Sequence, residues 1–410
     1  MEKIITDREK INEVLTRGVE QIFPDRASLE KVLHSGRRIR LYCGFDPSAP
    51  SLHIGNAIQL NKLSQFQELG HEVIFLIGDF TGMIGDPTDK TSTRKKMTRE
   101  EVRQNSRHYE KQASAYLRFT EPNPAIIRYN SEWSDPLTFK DLIVIASNFT
   151  VQQMMARDMF QERIKQEKPI HLHEFFYPLA QGYDSVGMDV DLEVGGNDQM
   201  FNMLCGRELM KAIKSKEKFV MTNKLLADPS GKKMGKSEGN VVSLGETPEN
   251  IYGQVMAWPD GMVGPGFELC TKLPWAEVVK IKEELNDPKT NPRDLKMKLA
   301  RELARIVHGE KAAAKAEENF VKTFQKKETP DEVRSKKIEA RSMNIVDLVI
   351  AAGLAVSKSE ARRLIKQGGI KVDNEVVKDE GMIVDIANKE ILLQRGKRQF
   401  IKVKGGLADN

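Results

Sequence analysis

The chain has 410 residues, 40% of them hydrophobic and 30% charged, with a formal net charge of +5. At roughly 150 residues per domain this predicts two to three domains, each able to bury a core without disulfide or metal staples. The longest apolar runs, such as 73–78 and 143–146, fall far short of the ~20 residues that span a bilayer, and mean hydropathy is -0.47, so no membrane span is expected. The N-terminal Met-Glu-Lys-Ile-Ile-Thr lacks the apolar core of a secretory leader. Cys43, Cys205 and Cys270 are too few and too far apart for a disulfide framework or a CxxC site. A soluble, cytoplasmic protein is expected.

Residues 40–45 (Arg-Leu-Tyr-Cys-Gly-Phe) read as a strand, 52–69 as a helix and 72–78 as a short buried strand. Such alternation with short loops, continuing to about residue 225, predicts βαβ units and a parallel sheet. Gly85-Asp86-Pro87 and Asp228-Pro229-Ser230-Gly231 mark turns. From Pro248 to about Gln325 the pattern is helical, with Leu295, Leu299, Leu303, Ile306 and Val307 at three- and four-residue steps. The polar, charged stretch around 326–340 reads as a linker. Beyond it, 344–352 and 358–367 predict helices, 369–377 a hairpin turning at Asp373-Asn374, and 390–404 a strand pair. Residues 331–410 hold 16 Lys and Arg against 12 Asp and Glu, a mild basic bias that points to a polyanionic partner. An ordinary solvated surface accounts for that charge equally well.

Two segments carry chemistry. In Gly44-Phe-Asp46-Pro-Ser-Ala-Pro-Ser-Leu-His53-Ile-Gly55-Asn56 a strand runs into a helix. Gly55 lets a phosphate approach the free N–H groups of the helix start, and His53 and Asn56 fall on one helical face. Far downstream, Lys232-Lys233-Met-Gly-Lys236-Ser237 places lysines around a glycine, as suits charge on a transferring triphosphate. Taken singly, the first is also an ordinary capping His and the second a basic surface loop.

Together, and in this order, they resemble the class I aminoacyl-tRNA synthetases. Gly44-Phe-Asp-Pro and Gly85-Asp86-Pro87 narrow the resemblance to the tyrosyl and tryptophanyl pair. Tyr42, Tyr177-Pro-Leu-Ala-Gln181-Gly-Tyr-Asp184 and Gly195-Gly196-Asn-Asp198-Gln199 look like the bacterial tyrosyl branch. The segment from Gly353 through Arg362-Arg363-Leu-Ile-Lys366 to Asn374 resembles an S-four-type RNA-binding domain. Two departures stand out: Asn56 replaces a second His, and Gly235 replaces the usual Ser of the lysine loop.

The resemblance implies an α/β fold. A Rossmann-like parallel-sheet catalytic domain (1–227) would lead through a lysine-rich loop (228–245) to a helical tRNA-contacting domain (246–325). A linker (326–340) and a small α+β RNA-binding domain (341–405) would follow. It implies formation of tyrosyl-adenylate from ATP and tyrosine, then transfer to tRNA(Tyr), by a homodimer joined through about 130–165. ATP enters as substrate with its own Mg2+, and no protein-held metal or prosthetic group is expected. His171 and His173, two apart, are read as non-metal residues.

Carried over residue by residue, His53, Asn56, Lys233, Lys236, Lys90 and Arg94 would stabilise the phosphates and the leaving pyrophosphate. Gly44, Asp46, Gly55, Gly196 and Asp198 would line the nucleotide. Tyr42 and Asp184 would meet the tyrosine phenol, Tyr177, Gln181 and Asp86 its ammonium, and Gln199 its carboxylate. Arg362, Arg363, Lys366, Arg395, Lys397 and Arg398 would contact RNA phosphates. The alternatives are a tryptophanyl relative and a synthetase-derived RNA-binding protein.

Overall fold

The computed structural model describes residues 3–88, 97–228, 231, 234, 242–325, 334–338, 340–387, 390–396 and 399–405. The chain divides into two compact units, Met1–Ala316 and Glu317–Asn410.

The first unit is built on a six-stranded sheet. Its strands are β1 (Val19–Phe23), β2 (Arg40–Phe45), β3 (Glu72–Ile77), β4 (Ile126–Tyr129), β5 (Leu192–Gly196) and β6 (Phe219–Asn223), in the order β1-β6-β5-β2-β3-β4. Only β1 is antiparallel to its neighbour. β3 buries every residue after Glu72, the continuous apolar run expected of a parallel strand covered on both faces. From β2 the chain crosses to β3 on one side, whereas from β5 it crosses to β6 on the other. The crevice beyond the carboxyl ends of β2 and β5 is therefore the switch point where such sheets bind ligands.

Helix Ile54–Glu68 follows β2 and is buried along most of its length. Two polar residues on it tie the sheet to the helices downstream and to the N-terminus. Asn61 donates to the carbonyls of Leu269 (3.3 Å) and Thr271 (3.0 Å), and Lys62 to those of Val14 (2.7 Å) and Arg17 (2.9 Å). Burial lowers the Lys62 pKa to about 7. The helical stretch forms Pro248–Met256, Val263–Cys270, Trp275–Asn286, Pro292–His308 and Glu310–Phe320. In Pro292–His308 the expected Leu295, Leu299 and Leu303 face the core.

The second unit has its own core, including Ile345, Leu348, Val349, Ile365, Ile370, Leu393 and Val403. Strands β7 (Arg334–Ile338), β8 (Ser342–Asn344), β9 (Ile370–Val372), β10 (Glu375–Val376), β11 (Ile383–Asp385), β12 (Ile391–Arg395) and β13 (Gln399–Gly405) form a five-stranded sheet, β10-β9-β12-β13-β7, and a pair, β11-β8. Helices Ile345–Ala351 and Lys358–Lys366 pack with them. The hairpin turns at Asp373 and Asn374, with φ 48° and 73°, the left-handed region that Asp and Asn tolerate.

One expectation changes here. The stretch read as linker contains β7, paired parallel to β13 at the sheet edge. Ser335, Lys336 and Lys337 are exposed and only Ile338 is buried, so no alternation was there to read. Residues 326–333 lie outside the described residues. Among the described residues no helix is long and apolar enough to cross a membrane.

Candidate active site

At the end of β2 the chain turns through Asp46 into the helix that starts at Ile54. His53 is the N-cap: its Nδ1 accepts from the Gly55 N–H (3.1 Å), while Asn56 Oδ1 accepts from the His53 N–H (2.9 Å). Both residues thus sit at the helix start as expected, and both also cap it. Asn56 spends its carbonyl on the cap, which leaves its amide N–H donors for an anion at the N-terminus. Gly55 lies in the first turn, Gly44 is exposed near the end of β2, and Gly196 is buried at the end of β5.

The chain after the lysine loop returns to this point. Ile54 N–H donates to Val242 O (2.9 Å) and Leu244 N–H to Leu52 O (2.9 Å), with Ser243 opposite His53. Met234 is buried, and its N–H donates to Leu226 O (2.9 Å). Lys233 adjoins that anchor and Lys236 lies between it and Val242 in sequence. Lys233, Lys236 and Gly235, like Lys90 and Arg94, lie outside the described residues.

Next to the helix start, Asp46 accepts from Tyr177 Oη (2.7 Å) and Thr81 Oγ1 (2.6 Å). Gly85, at φ 80°, ends the turn Thr81–Ile84 in a conformation that suits glycine and swings the chain into Asp86. Asp86 accepts from Gln199 Nε2 (2.7 Å) and from Thr88 (Oγ1, 2.7 Å). Asn202 Nδ2 donates to Gln199 Oε1 (3.0 Å), so the Gln199 amide is fixed at both ends. Asp198 lies in the same turn, Asn197–Gln199, just past β5.

Deeper in, Asp184 is only 2% exposed. Its carboxylate accepts from Trp133 Nε1 (2.8 Å) and Asn130 Nδ2 (3.3 Å). Burial pushes its pKa well above the usual carboxylate value, against the pull of those two donors. Tyr42 is fully buried, with its Oη 3.0 Å from Ser185 Oγ, and burial followed by the nearby charges of Glu193 and Asp184 raises its pKa well above 10.0. Gln181 Nε2 donates to Glu193 Oε1 (3.0 Å). Tyr42, Tyr177, Gln181 and Asp184 thus line one region from β2 and helix Phe176–Met188.

Sequence reasoning missed Asn130, Trp133, Ser185 and Glu193. Glu193 had a legible signal: it is the lone charge in Leu192-Glu-Val-Gly-Gly196, every residue of which is buried.

In the second unit Arg362, Arg363 and Lys366 share helix Lys358–Lys366. Arg362 and Lys366 lie 3.6 Å and 3.1 Å from the Glu380 carboxylate and stay largely exposed. Arg395 is spent differently, donating to Leu354 O and to Glu360 Oε1 (both 2.9 Å or less). Lys397 and Arg398 lie outside the described residues.

Residues 34–325 match the family described as tRNA synthetases class I (W and Y), and 344–391 match the S4 domain. The chain is 42% identical over 403 residues to the tyrosine--tRNA ligase of Thermotoga maritima, covering 98% of this chain and 99% of that one. It is also 42% identical over 402 residues to the tyrosine--tRNA ligase of Haemophilus influenzae, covering 98% of each. A C-terminally truncated mitochondrial tyrosyl-tRNA synthetase from Aspergillus nidulans shares the fold, with TM-score 0.67 at 23% identity over 78% of this chain and 95% of that one. The chain belongs to the class I tRNA synthetases of the tryptophan and tyrosine branch, and within it to the tyrosine--tRNA ligase family.

Proposed function

We propose that the crevice at the ends of β2 and β5 activates tyrosine with ATP and passes the tyrosyl group to the 3′ end of tRNA(Tyr). In the first step a tyrosine carboxylate oxygen attacks the α-phosphorus. A carboxyl–phosphate anhydride forms, and the bond to the β-phosphate breaks with loss of pyrophosphate. In the second, a terminal ribose hydroxyl attacks the activated carbonyl and AMP leaves. The attacking carboxylate is ionised at neutral pH, so the rate has to come from positioning and from stabilising charge on phosphorus.

The observation that carries the choice of tyrosine is Asp184. Both its partners are N–H donors, so its oxygens are set as acceptors, and it lies near the phenol of Tyr42. A phenol O–H completes that shell, whereas phenylalanine leaves a buried acceptor short of a partner. Tyr177, Gln181 and Asp86 take the ammonium, and Gln199 lies beside the carboxylate. Asp198 accepts from the ribose, with Asp46, Gly44 and Gly196 along the nucleotide. His53, Gly55 and Asn56 hold the phosphates at the helix start. Lys233 and Lys236 act on the leaving pyrophosphate, with Lys90 and Arg94 adding charge. Mg2+ arrives with the nucleotide.

Arg362, Arg363 and Lys366 offer the second unit's phosphate contacts to tRNA. A homodimer is supported by helix Phe139–Ala146 and its surroundings: Phe139 (78% exposed), Val151 (72%) and Leu172 (71%), with Ile143 and Val144, leave an apolar surface that a second copy would cover. The setting is the cytoplasm. The test is amino-acid-dependent pyrophosphate exchange with tyrosine, phenylalanine and tryptophan. Exchange with tyrosine should far exceed the other two. Equal rates with phenylalanine, or faster exchange with tryptophan, would overturn the reading.

A further inference from the structure

Beneath the amino-acid pocket lies an ion pair that the reaction does not use directly. Glu193 on β5 and Lys218, just before β6, are 2% and 0% exposed and form a salt bridge. The Lys218 ammonium has three donors, and all are spent: on Glu193, on Ser185 Oγ (2.8 Å) and on Met203 O (3.1 Å). It also lies 5.9 Å from the centre of the Tyr42 ring. The neighbouring helix makes room for it. A Cβ at Gly206 would stand 2.5 Å from Lys218 Nζ and 2.7 Å from Ser185 Oγ.

Stability does not explain such a pair. Two charges taken out of water recover little more than their desolvation cost, and well-packed apolar residues generally do as well. What the pair does control is the direction of its neighbours' polar atoms. We infer that Glu193 and Lys218 are positioning residues that fix how Gln181 faces the ammonium of the amino-acid substrate; the inference rests on the tyrosine-binding reading above.

A carboxylate only accepts, so Gln181 must turn its NH2 toward Glu193, as observed at 3.0 Å. Its Oε1 is thereby turned away from Glu193 and presented as an acceptor for the substrate ammonium. The Lys218 ammonium holds the Glu193 carboxylate in that place and also donates to Ser185 Oγ, which lies 3.0 Å from Tyr42 Oη. One buried pair thus sets the orientation of the Gln181 amide, through the carboxylate that Lys218 holds in place.

Removing one charge alone strands the other in the interior, so the principal variant is the neutral double, Glu193→Gln with Lys218→Met, in the full-length protein. Binding of tyrosine and of 3-(4-hydroxyphenyl)propionate, which lacks the ammonium, is measured by calorimetry. Loss of a hydrogen bond to a charged group should weaken tyrosine binding by about tenfold to a hundredfold in the double variant, with a much smaller change for the deaminated analogue. Gly206→Ala, which crowds the ammonium without removing a charge, should show the same selective loss and serves if the double variant does not fold. Equal weakening of both ligands would reduce the pair to a packing role and overturn the inference, as would no weakening of either. Gln181→Leu separates the two levels. If it discriminates between the ligands while neither other variant does, the positioning inference fails alone. If Gln181→Leu does not discriminate, the ammonium assignment fails and takes the inference with it.

Discussion

Tyr177 Oη donates to Asp46 Oδ2 at 2.7 Å, joining helix Phe176–Met188 to the end of β2 across 131 positions of sequence. The bond couples the side of the crevice assigned to the amino acid with the side assigned to the nucleotide, because Asp46 is also held by Thr81 Oγ1 (2.6 Å). Tyr177→Phe removes a donor from a carboxylate while keeping the ring that packs there. It should lower kcat/KM for tyrosine activation about tenfold to a hundredfold, the value of one hydrogen bond to a charged group. Pyrophosphate exchange over a range of tyrosine concentrations gives the number, and an unchanged kcat/KM would mean that the aim of Asp46 is irrelevant to the reaction.

Lys236→Ala should act on rate and leave tyrosine binding almost untouched. The flanks of its loop are tied to the site, with Met234 N–H bonded to Leu226 O and Val242 O accepting from Ile54 N–H, one residue past His53. A lysine between those anchors is proposed to meet the pyrophosphate as charge develops on it, so the activation rate should fall by ~10²–10³. Stopped-flow measurement of adenylate formation, with equilibrium tyrosine binding alongside, separates the two. Collapse of tyrosine binding with a normal rate per bound complex would assign the lysine elsewhere.

How much of this was legible depends on whether physics left a periodic trace. The strand at 40–45, the helix beginning after His53 and the turn at Asp373-Asn374 were readable because burial period and left-handed turn chemistry show in the residue types. β7 was not, since Ser335, Lys336 and Lys337 are exposed and only Ile338 after them is buried, which leaves no alternation to read. Lys218 was hidden in another way. It ends the run Lys214-Ser-Lys-Glu-Lys218, which in sequence is indistinguishable from a solvated surface. Only the fold reveals that the last of these lysines turns inward. The partners of Asp184 were equally unreadable, because Asn130 and Trp133 lie 54 and 51 positions away.

His71 should make the first unit acid-sensitive. The ring is fully buried beside Phe66, and burial, aided by the Arg38 charge, lowers its pKa from 6.5 to about 4. The folded state therefore holds the neutral form while the unfolded chain protonates near 6.5. The stabilising contribution is complete above about pH 6.5 and is lost as pH falls through about 4, by about 3 kcal/mol in all. His71→Phe keeps a ring and removes the titration. Between pH 7 and pH 4.5 the urea midpoint of the wild type should fall further than that of the variant. Parallel falls would show that other groups carry the acid response.

Cutting the chain after Pro330 should separate adenylate formation from tRNA charging. Every proposed pocket residue, from Tyr42 to Lys236, precedes the cut, and the first compact unit already closes at Ala316. The second unit has a core of its own, drawn from Ile338 to Val403, all of it beyond the cut. The 1–330 fragment should exchange pyrophosphate with tyrosine at close to the full-length rate. It should charge tRNA poorly without Arg362, Arg363 and Lys366, which lie on one helix with their charged ends open to solvent or to a shared carboxylate. Each RNA phosphate that a cation neutralises steepens the log–log salt dependence of binding by roughly 0.7 to 0.9, so without these three cations the fragment's slope should be shallower by about 2 to 3. Exchange, aminoacylation and tRNA binding at several salt concentrations, on fragment and full-length protein, decide the matter. Full charging by the fragment would place tRNA recognition in the first unit, and loss of exchange together with charging would show that the pocket depends on the second.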